Sequence, residues 1–406
     1  MRPSWRLLVL LSCLTELGCN SINGLSDLEK APGCVKDCAS GGAGGDAGVL
    51  PLTPAVGRKT SCAIMEDRSL YCWGANPGVE PGTVSTQPTR VGGVGPIASV
   101  SIGLDHVCAV DDVGNVSCWG RNDAGQLGDG TTAASAVPKV VPGLPAINSV
   151  ASGADHVCAY TNPDVEPVQV FCWGSNEFGQ LGDGTTNSSL VPQKFEFADK
   201  ARVLRLAPGI GYTSAIVDNG GVLEARCWGK NDVGQCGMDP SANPTVPTPT
   251  AVPGIPPMER VYPGASHMCT RTVGTRIPWC WGANDHGQVG VTPSPWEPPT
   301  ELPTKPSIDT MSPGARHTCL LARTTGVGMC WGANDFGQFG ATPGADVPTP
   351  TAAPFLDGLG FAMRMAEHGC GVKNGVMWCW GANDSGQVGN GKTEPYSPPF
   401  QLVFSP

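Results

Sequence analysis

Apolar residues along this chain come in short runs that stop at glycine, proline or aspartate, and no long stretch carries them at helical spacing. One unit reads Ser101-Ile102-Gly103-Leu104-Asp105-His106-Val107-Cys108-Ala109-Val110, turns at Asp111 to Asn115, and returns as Val116-Ser117-Cys118-Trp119-Gly120. Two apolar runs around a tight polar turn predict a β-hairpin. The pieces between hairpins, such as Pro138-Lys139-Val140-Val141 and Ile147-Asn148-Ser149-Val150, predict two further short strands. Cys-Trp-Gly punctuates the chain seven times, starting at Cys72, Cys118, Cys172, Cys227, Cys280, Cys330 and Cys379, at spacings of 46, 54, 55, 53, 50 and 49 residues. Such a period means one supersecondary unit used seven times. Four strands in each of seven units predict an all-β chain, a seven-bladed β-propeller.

The two ends of the array are expected to close the ring. Pro54-Ala55-Val56-Gly57 corresponds to the strand ending at Gly103, and Pro398 to Val403 corresponds to Val137-Pro138-Lys139-Val140. The last strand is therefore expected to complete a sheet begun at the N-terminus.

Within the hairpin, Cys108 and Cys118 lie symmetrically about the turn and should face each other across it, which suits disulfide geometry. The same arrangement recurs as Cys62/Cys72, Cys158/Cys172, Cys269/Cys280, Cys319/Cys330 and Cys370/Cys379. A closed loop this short contributes roughly 2–3 kcal/mol in the chain-entropy model. The fourth unit departs: Tyr212-Thr213-Ser214 stands where the others have His-x-Cys, and Cys236 appears where Leu127 and Leu181 stand in theirs. A Cys227–Cys236 disulfide is the economical pairing, with buried free thiols as the alternative.

His106, His156, His267, His317 and His368 each sit two residues before a hairpin cysteine, on the same strand face. His plus two Cys is an incomplete set for structural zinc, and an oxidised cysteine does not ligate a metal. The first unit keeps its cysteines with Thr60 at the His position, so the histidine is expected to hydrogen-bond locally between blades. All seven units keep Trp-Gly-x-Asn, and six continue to Gly-Gln; the first has Pro77-Gly78-Val79-Glu80 instead. The spaced acidic ligands and closing Glu of a calcium loop are missing, so these residues read as turn formers. Neither a metal nor a cofactor is expected.

Lys and Arg total 25 against 35 Asp and Glu, a net charge of −10, which makes the chain a poor match for nucleic acid. Residues 1–19 read as an export signal: Arg2 and Arg6, the apolar run Leu7 to Leu11, then Leu17-Gly18-Cys19. Its end resembles a bacterial lipoprotein signal, in which Cys19 becomes the lipidated first residue; Glu16 departs from that pattern. Residues 20–52, with Cys34, Cys38 and the run Gly41 to Gly48, read as a flexible tether, and 53–406 as the propeller.

Gly-x-x-His-x-Cys-Ala followed by Trp-Gly-x-Asn-x-x-Gly-Gln-Leu-Gly resembles the repeat of the regulator of chromosome condensation family, over about residues 53–406. The resemblance implies a seven-bladed propeller. The paired cysteines are an addition to the family pattern and fit an exported bacterial branch. Guanine-nucleotide exchange, the founding member's activity, is not carried over to an acidic, exported chain.

The expected function is a non-catalytic module at the bacterial cell envelope that binds a protein or glycan: a monomer, lipid-anchored if Cys19 is modified, otherwise periplasmic or secreted. Its variable connections, Asn162 to Val168, Asp239 to Pro257 and Thr292 to Pro306 with Trp296, are candidate contact segments. A secreted enzyme inhibitor is the narrower alternative. An envelope hydrolase or lyase is a further one, although the chain has no Gly-x-Ser-x-Gly elbow and no His-Glu-x-x-His. His286, the one histidine outside the repeat pattern, is expected to face solvent.

Overall fold

A computed structural model describes residues 51–75, 84–362 and 366–404. The signal, Cys19, Cys34, Cys38 and the tether up to residue 50 lie outside the described residues. Seven four-stranded antiparallel sheets are arranged as the blades of a propeller. Blades 1 to 7 span residues 51–90, 97–140, 149–195, 202–251, 258–301, 308–352 and 360–401. Blade 2 shows the common plan: strands Ile97–Ile102, His106–Asp111, Val116–Gly120 and Ser135–Val140, each paired to the next.

The period-two strands face two neighbours at once, so the core is divided into seven apolar clusters, one between each pair of adjacent blades. Each contains one Cys-Trp-Gly tryptophan, and all seven indoles are fully buried. Glycine follows because the third strand passes close beneath the turn that opens the second. Gly120 has φ +107°, and a Cβ there would collide with the backbone of Asp105 and His106.

Two expectations are corrected. The last strand does not complete a sheet begun at the N-terminus, because every sheet is built from four consecutive strands. The ring closes by packing instead: Leu402 and Phe404 of the C-terminal segment join Val56, Tyr71 and Trp73 of blade 1 in one cluster. The proline-rich segments 239–257 and 292–306 are also not merely connections. They contain the fourth strands Thr245–Ala251 and Ser294–Glu301. Proline is tolerated there because a fourth strand is a sheet edge, where one side of the backbone lacks a ladder partner.

Candidate functional site: the loop face and the channel mouth

The turns between first and second strands, and in blades 2 to 7 the Asn-x-x-Gly-Gln loops between third and fourth, lie at the same end of the blade. Together they make one face of the ring. Each loop is braced from within by its own side chains. Asn122 accepts the backbone N–H of Leu127 at 2.9 Å and donates to the carbonyls of Thr131 and Ala133, while Gln126 accepts the N–H of Ala124 at 2.9 Å. Equivalent bonds recur at Asn176, Asn231, Asn284, Asn334 and Asn383. This frees the backbone carbonyl of the glutamine for the neighbouring blade.

That carbonyl is the node of the blade interface. The carbonyl of Gln387 accepts the indole N–H of Trp73 at 2.8 Å, and the hydroxyl of Ser61 at 2.8 Å. Ser61 has one hydrogen, already given to the carbonyl, so His368 must donate its Nε2–H to Ser61 Oγ, 2.7 Å away. Blades 3 and 4 repeat the arrangement with Gln180, Trp228, Thr213 and His156, and blades 5 and 6 with Gln288, Trp331, Thr318 and His267. The expected inter-blade hydrogen bond of the histidine is thus found at three interfaces. Elsewhere the hydroxyl position is occupied by Val107, Val157, Met268 or Gly369. In blade 4, Tyr212 replaces the histidine and donates to the carbonyls of Gly264 and His267 in blade 5, at 3.0 and 2.9 Å. Burial depresses these imidazoles: His106 to about 4, His267 and His368 to about 3.

The turn residue two positions before the second strand lies at the mouth of the central channel. Around the ring it is Arg58, Leu104, Ala154, Ile210, Ala265, Ala315 and Ala366, of which Arg58, Leu104, Ile210 and Ala315 line the opening and the other three are buried. Neighbouring turns are stitched together by backbone bonds, among them Ala154 N–H to Gly209 and Ala315 N–H to Ala366. A cavity of about 720 Å³ opens at this mouth, lined from five blades by residues including Arg58, Leu104, Ile210, Ala315, Phe336 and Glu367.

Charged residues on this face are paired across blades. Lys59 lies 3.4 Å from Asp384, Arg121 bridges Asp123 and Asp155, and Arg316 bridges Asp335 at 2.8 Å and Glu367 at 3.0 Å. Burial pushes the Glu367 carboxyl upward, but His317 and Arg316 outweigh it and hold the group below its usual range. At Asp155 burial prevails and the carboxyl is raised. Among the described residues there is no group of three or more metal-ligating side chains.

The sequence-predicted residues are distributed as follows. Six disulfides join opposed residues of the second and third strands, at Cys62/Cys72, Cys108/Cys118, Cys158/Cys172, Cys269/Cys280, Cys319/Cys330 and Cys370/Cys379, with Cα atoms 4.1 to 4.2 Å apart. In blade 4 the disulfide runs from Cys227 to Cys236 and so ties the third strand to the Gly-Gln loop. Ser214 stands opposite Cys227 and donates to the Ala207 carbonyl at 2.6 Å. Seven disulfides are the mark of an oxidising, exported environment. Trp296 is half-buried in the fourth strand of blade 5 and covers Gly234 of the preceding blade, where an added Cβ would lie 2.6 Å from its ring. His286 does not simply face solvent: it is half-buried between Asp346, at 2.7 Å, and Asp285, at 3.5 Å. Arg58 and the Arg316–Glu367 cluster escaped the sequence reading. The signal was present in the Gly-x-x-His alignment, where the first x is charged in the first unit alone.

A closed ring of seven short-stranded blades, joined by a loop carbonyl and a buried indole, defines a repeat propeller. The units match the family model described as the Regulator of chromosome condensation (RCC1) repeat over residues 114–160, 169–216 and 374–406, and a second model of that description over 97–126. The chain carries repeats of this family over those residues. It is 28% identical over 196 residues to human E3 ubiquitin-protein ligase HERC2, covering 48% of this chain and 4% of that protein. With the ultraviolet-B receptor UVR8 of Arabidopsis thaliana it shares 27% identity over 246 residues, 59% of this chain and 54% of the receptor. It therefore spans about half or less of the length of these curated relatives. Among solved structures it is similar to Prp20p of Saccharomyces cerevisiae, a protein described with binding properties to Gsp1p and histones, with TM-score 0.70 at 21% identity over 88% of each chain. Human WBSCR16 gives TM-score 0.66 at 19% identity, over 82% of this chain and 89% of that one. These structural likenesses speak for the fold. No helix among the described residues is long and apolar enough to cross a membrane.

Proposed function

We propose that the chain is a non-catalytic, protein-binding propeller of the bacterial cell envelope that presents its loop face to a partner. In this reading residues 1–19 direct export, Cys19 carries the lipid, and 20–52 tether the ring. The observation that carries it is the channel-mouth cavity of about 720 Å³, within the size range of ligand sites and assembled from five blades. A face braced by internal hydrogen bonds and inter-blade ion pairs loses little freedom on binding, which favours affinity. The precedent of Prp20p, which binds other proteins, supports the same reading.

Photo-cross-linking residues introduced at Ala315 on the mouth and at Val113 on the opposite face test it in native envelopes. Adducts from position 315 and none from 113 are expected. Adducts from 113 alone, or from neither, would reject the loop face as the binding surface. Fractionation with Cys19→Ser tests the anchor: the wild-type chain should sediment with membranes and the variant should be released.

A further inference from the structure

The ring of turn residues at the channel mouth contains one anomaly. Six of the seven positions are aliphatic and the seventh is Arg58. Other charges lining the cavity are already engaged: Lys59 with Asp384, Glu367 with Arg316, and Glu394 with the Asn390 side chain at 2.7 Å. Arg58 is exposed, and it makes no ion pair or hydrogen bond among the described residues. Across the cavity stand Leu104, Ile210, Ala315 and Phe336, which present carbon to the same space. The site thus offers one available guanidinium and an apolar wall to the same cavity.

Resting on the binding reading above, we propose that the mouth captures a peptide chain end, with the terminal carboxylate on Arg58 and an aliphatic last side chain against Leu104, Ile210 and Ala315. A chain end is favoured because it joins one carboxylate directly to the Cα that bears the aliphatic group. Its charge and carbon are therefore presented together, and the site holds a partner for each in one cavity. Guanidinium meets carboxylate with two parallel hydrogen bonds, stronger than neutral ones. The surrounding carboxylates, Asp123, Glu177, Asp232, Asp285, Asp335 and Asp384, recur at one loop position and oppose any occupant carrying several negative charges.

The test is fluorescence polarisation of the full chain with the labelled tetrapeptide Gly-Ala-Val-Leu, as free acid and as C-terminal amide. A third probe, an amidated peptide with an internal Asp, asks whether a side-chain carboxylate serves equally. The acid should bind about tenfold more tightly than either amidated probe. Arg58→Gln should bring all three to the same affinity, and Arg58→Lys should restore part of the preference. Leu104→Ser should weaken acid and amide alike. Equal binding of acid and amide to the native chain, a preference that survives Arg58→Gln, or no binding of the acid would overturn the proposal. Equal binding by the internal-Asp probe would overturn the chain-end occupant as well. If cross-linking from Ala315 persists in any of these cases, the occupant alone is discarded; if it fails too, the binding face goes with it.

Discussion

The interface between blades 7 and 1 and that between blades 2 and 3 use the same fold with different wiring. At the first, the Gln387 carbonyl receives both Trp73 and Ser61, and His368 completes the chain. At the second, the Gln126 carbonyl receives Trp173 alone, at 3.0 Å. Val157 replaces the hydroxyl, and the ring nitrogens of His106 are buried with no hydrogen-bond partner among the described residues. The first interface also has to join the two ends of the chain, which no covalent connection does, whereas blades 2 and 3 are held together by continuous backbone. The relay is complete at the closing interface and also between blades 3 and 4 and blades 5 and 6, where backbone already joins the neighbours, so it follows the hydroxyl on the second strand and not the connectivity of the chain.

Removing residues 396–406 is the strongest way to break this contrast. The deletion takes away six of the eight residues of the last strand together with Leu402 and Phe404, which cover Trp73. The cooperative calorimetric transition should shift down by more than about 10 °C, a loss of several kcal/mol. An unchanged transition would mean that closure does not need the C-terminal segment.

Acidification comes next. The unfolded imidazoles titrate near 6.5, whereas the buried ones do so at about 4 for His106 and about 3 for His267 and His368. Below pH 6.5 the unfolded chain therefore binds more protons than the folded one, and stability falls as the pH drops. Between pH 6.5 and 5 the loss is about 2 kcal/mol for each of the three histidines. Denaturant midpoints at pH 7 and pH 5 measure it; a flat profile would show that these rings are not held neutral.

Tryptophan substitution resolves one interface from another. Trp73→Phe removes a buried ring edge and the bond to Gln387, for about 2–3 kcal/mol. Trp119, whose indole has no partner among the described residues, should lose only the packing share, about 1 kcal/mol less. Equal losses in urea melts would remove the carbonyl node from the account.

The smallest effect separates the relay itself. Ser61→Ala leaves the His368 N–H without its acceptor and should cost about 1–2 kcal/mol. Val157→Thr gives His106 a hydroxyl and should be near neutral or stabilising by up to about 1 kcal/mol. The opposite ranking in the same melts would show that the hydroxyl is incidental.

Much of this was readable in the chain. The hairpins, the seven-fold count and the register that sets Cys108 opposite Cys118 follow from apolar alternation and turn residues, which act within a few positions. The fourth strands Thr245–Ala251 and Ser294–Glu301 were not readable, because proline signals a break in an interior strand and only an edge tolerates it. Gln126 and its equivalents were legible as turn residues, but the important atom is a backbone carbonyl, which every residue has and no pattern marks. Gly-x-x-His was legible as a repeated turn; that its first x lies at the mouth of the channel was not.

The sequence alone determined the blade: its strands, its turns, its opposed cysteines and the number of copies. Those depend on contacts within one unit, where local spacing dictates geometry. The tertiary structure decided how blade 7 meets blade 1, which carbonyl joins neighbours, and that Arg58 looks across a shared cavity toward Ile210, 152 positions later in the chain. Those relations depend on the angle between packed sheets, summed around a closed ring, and no local run of residues encodes that angle.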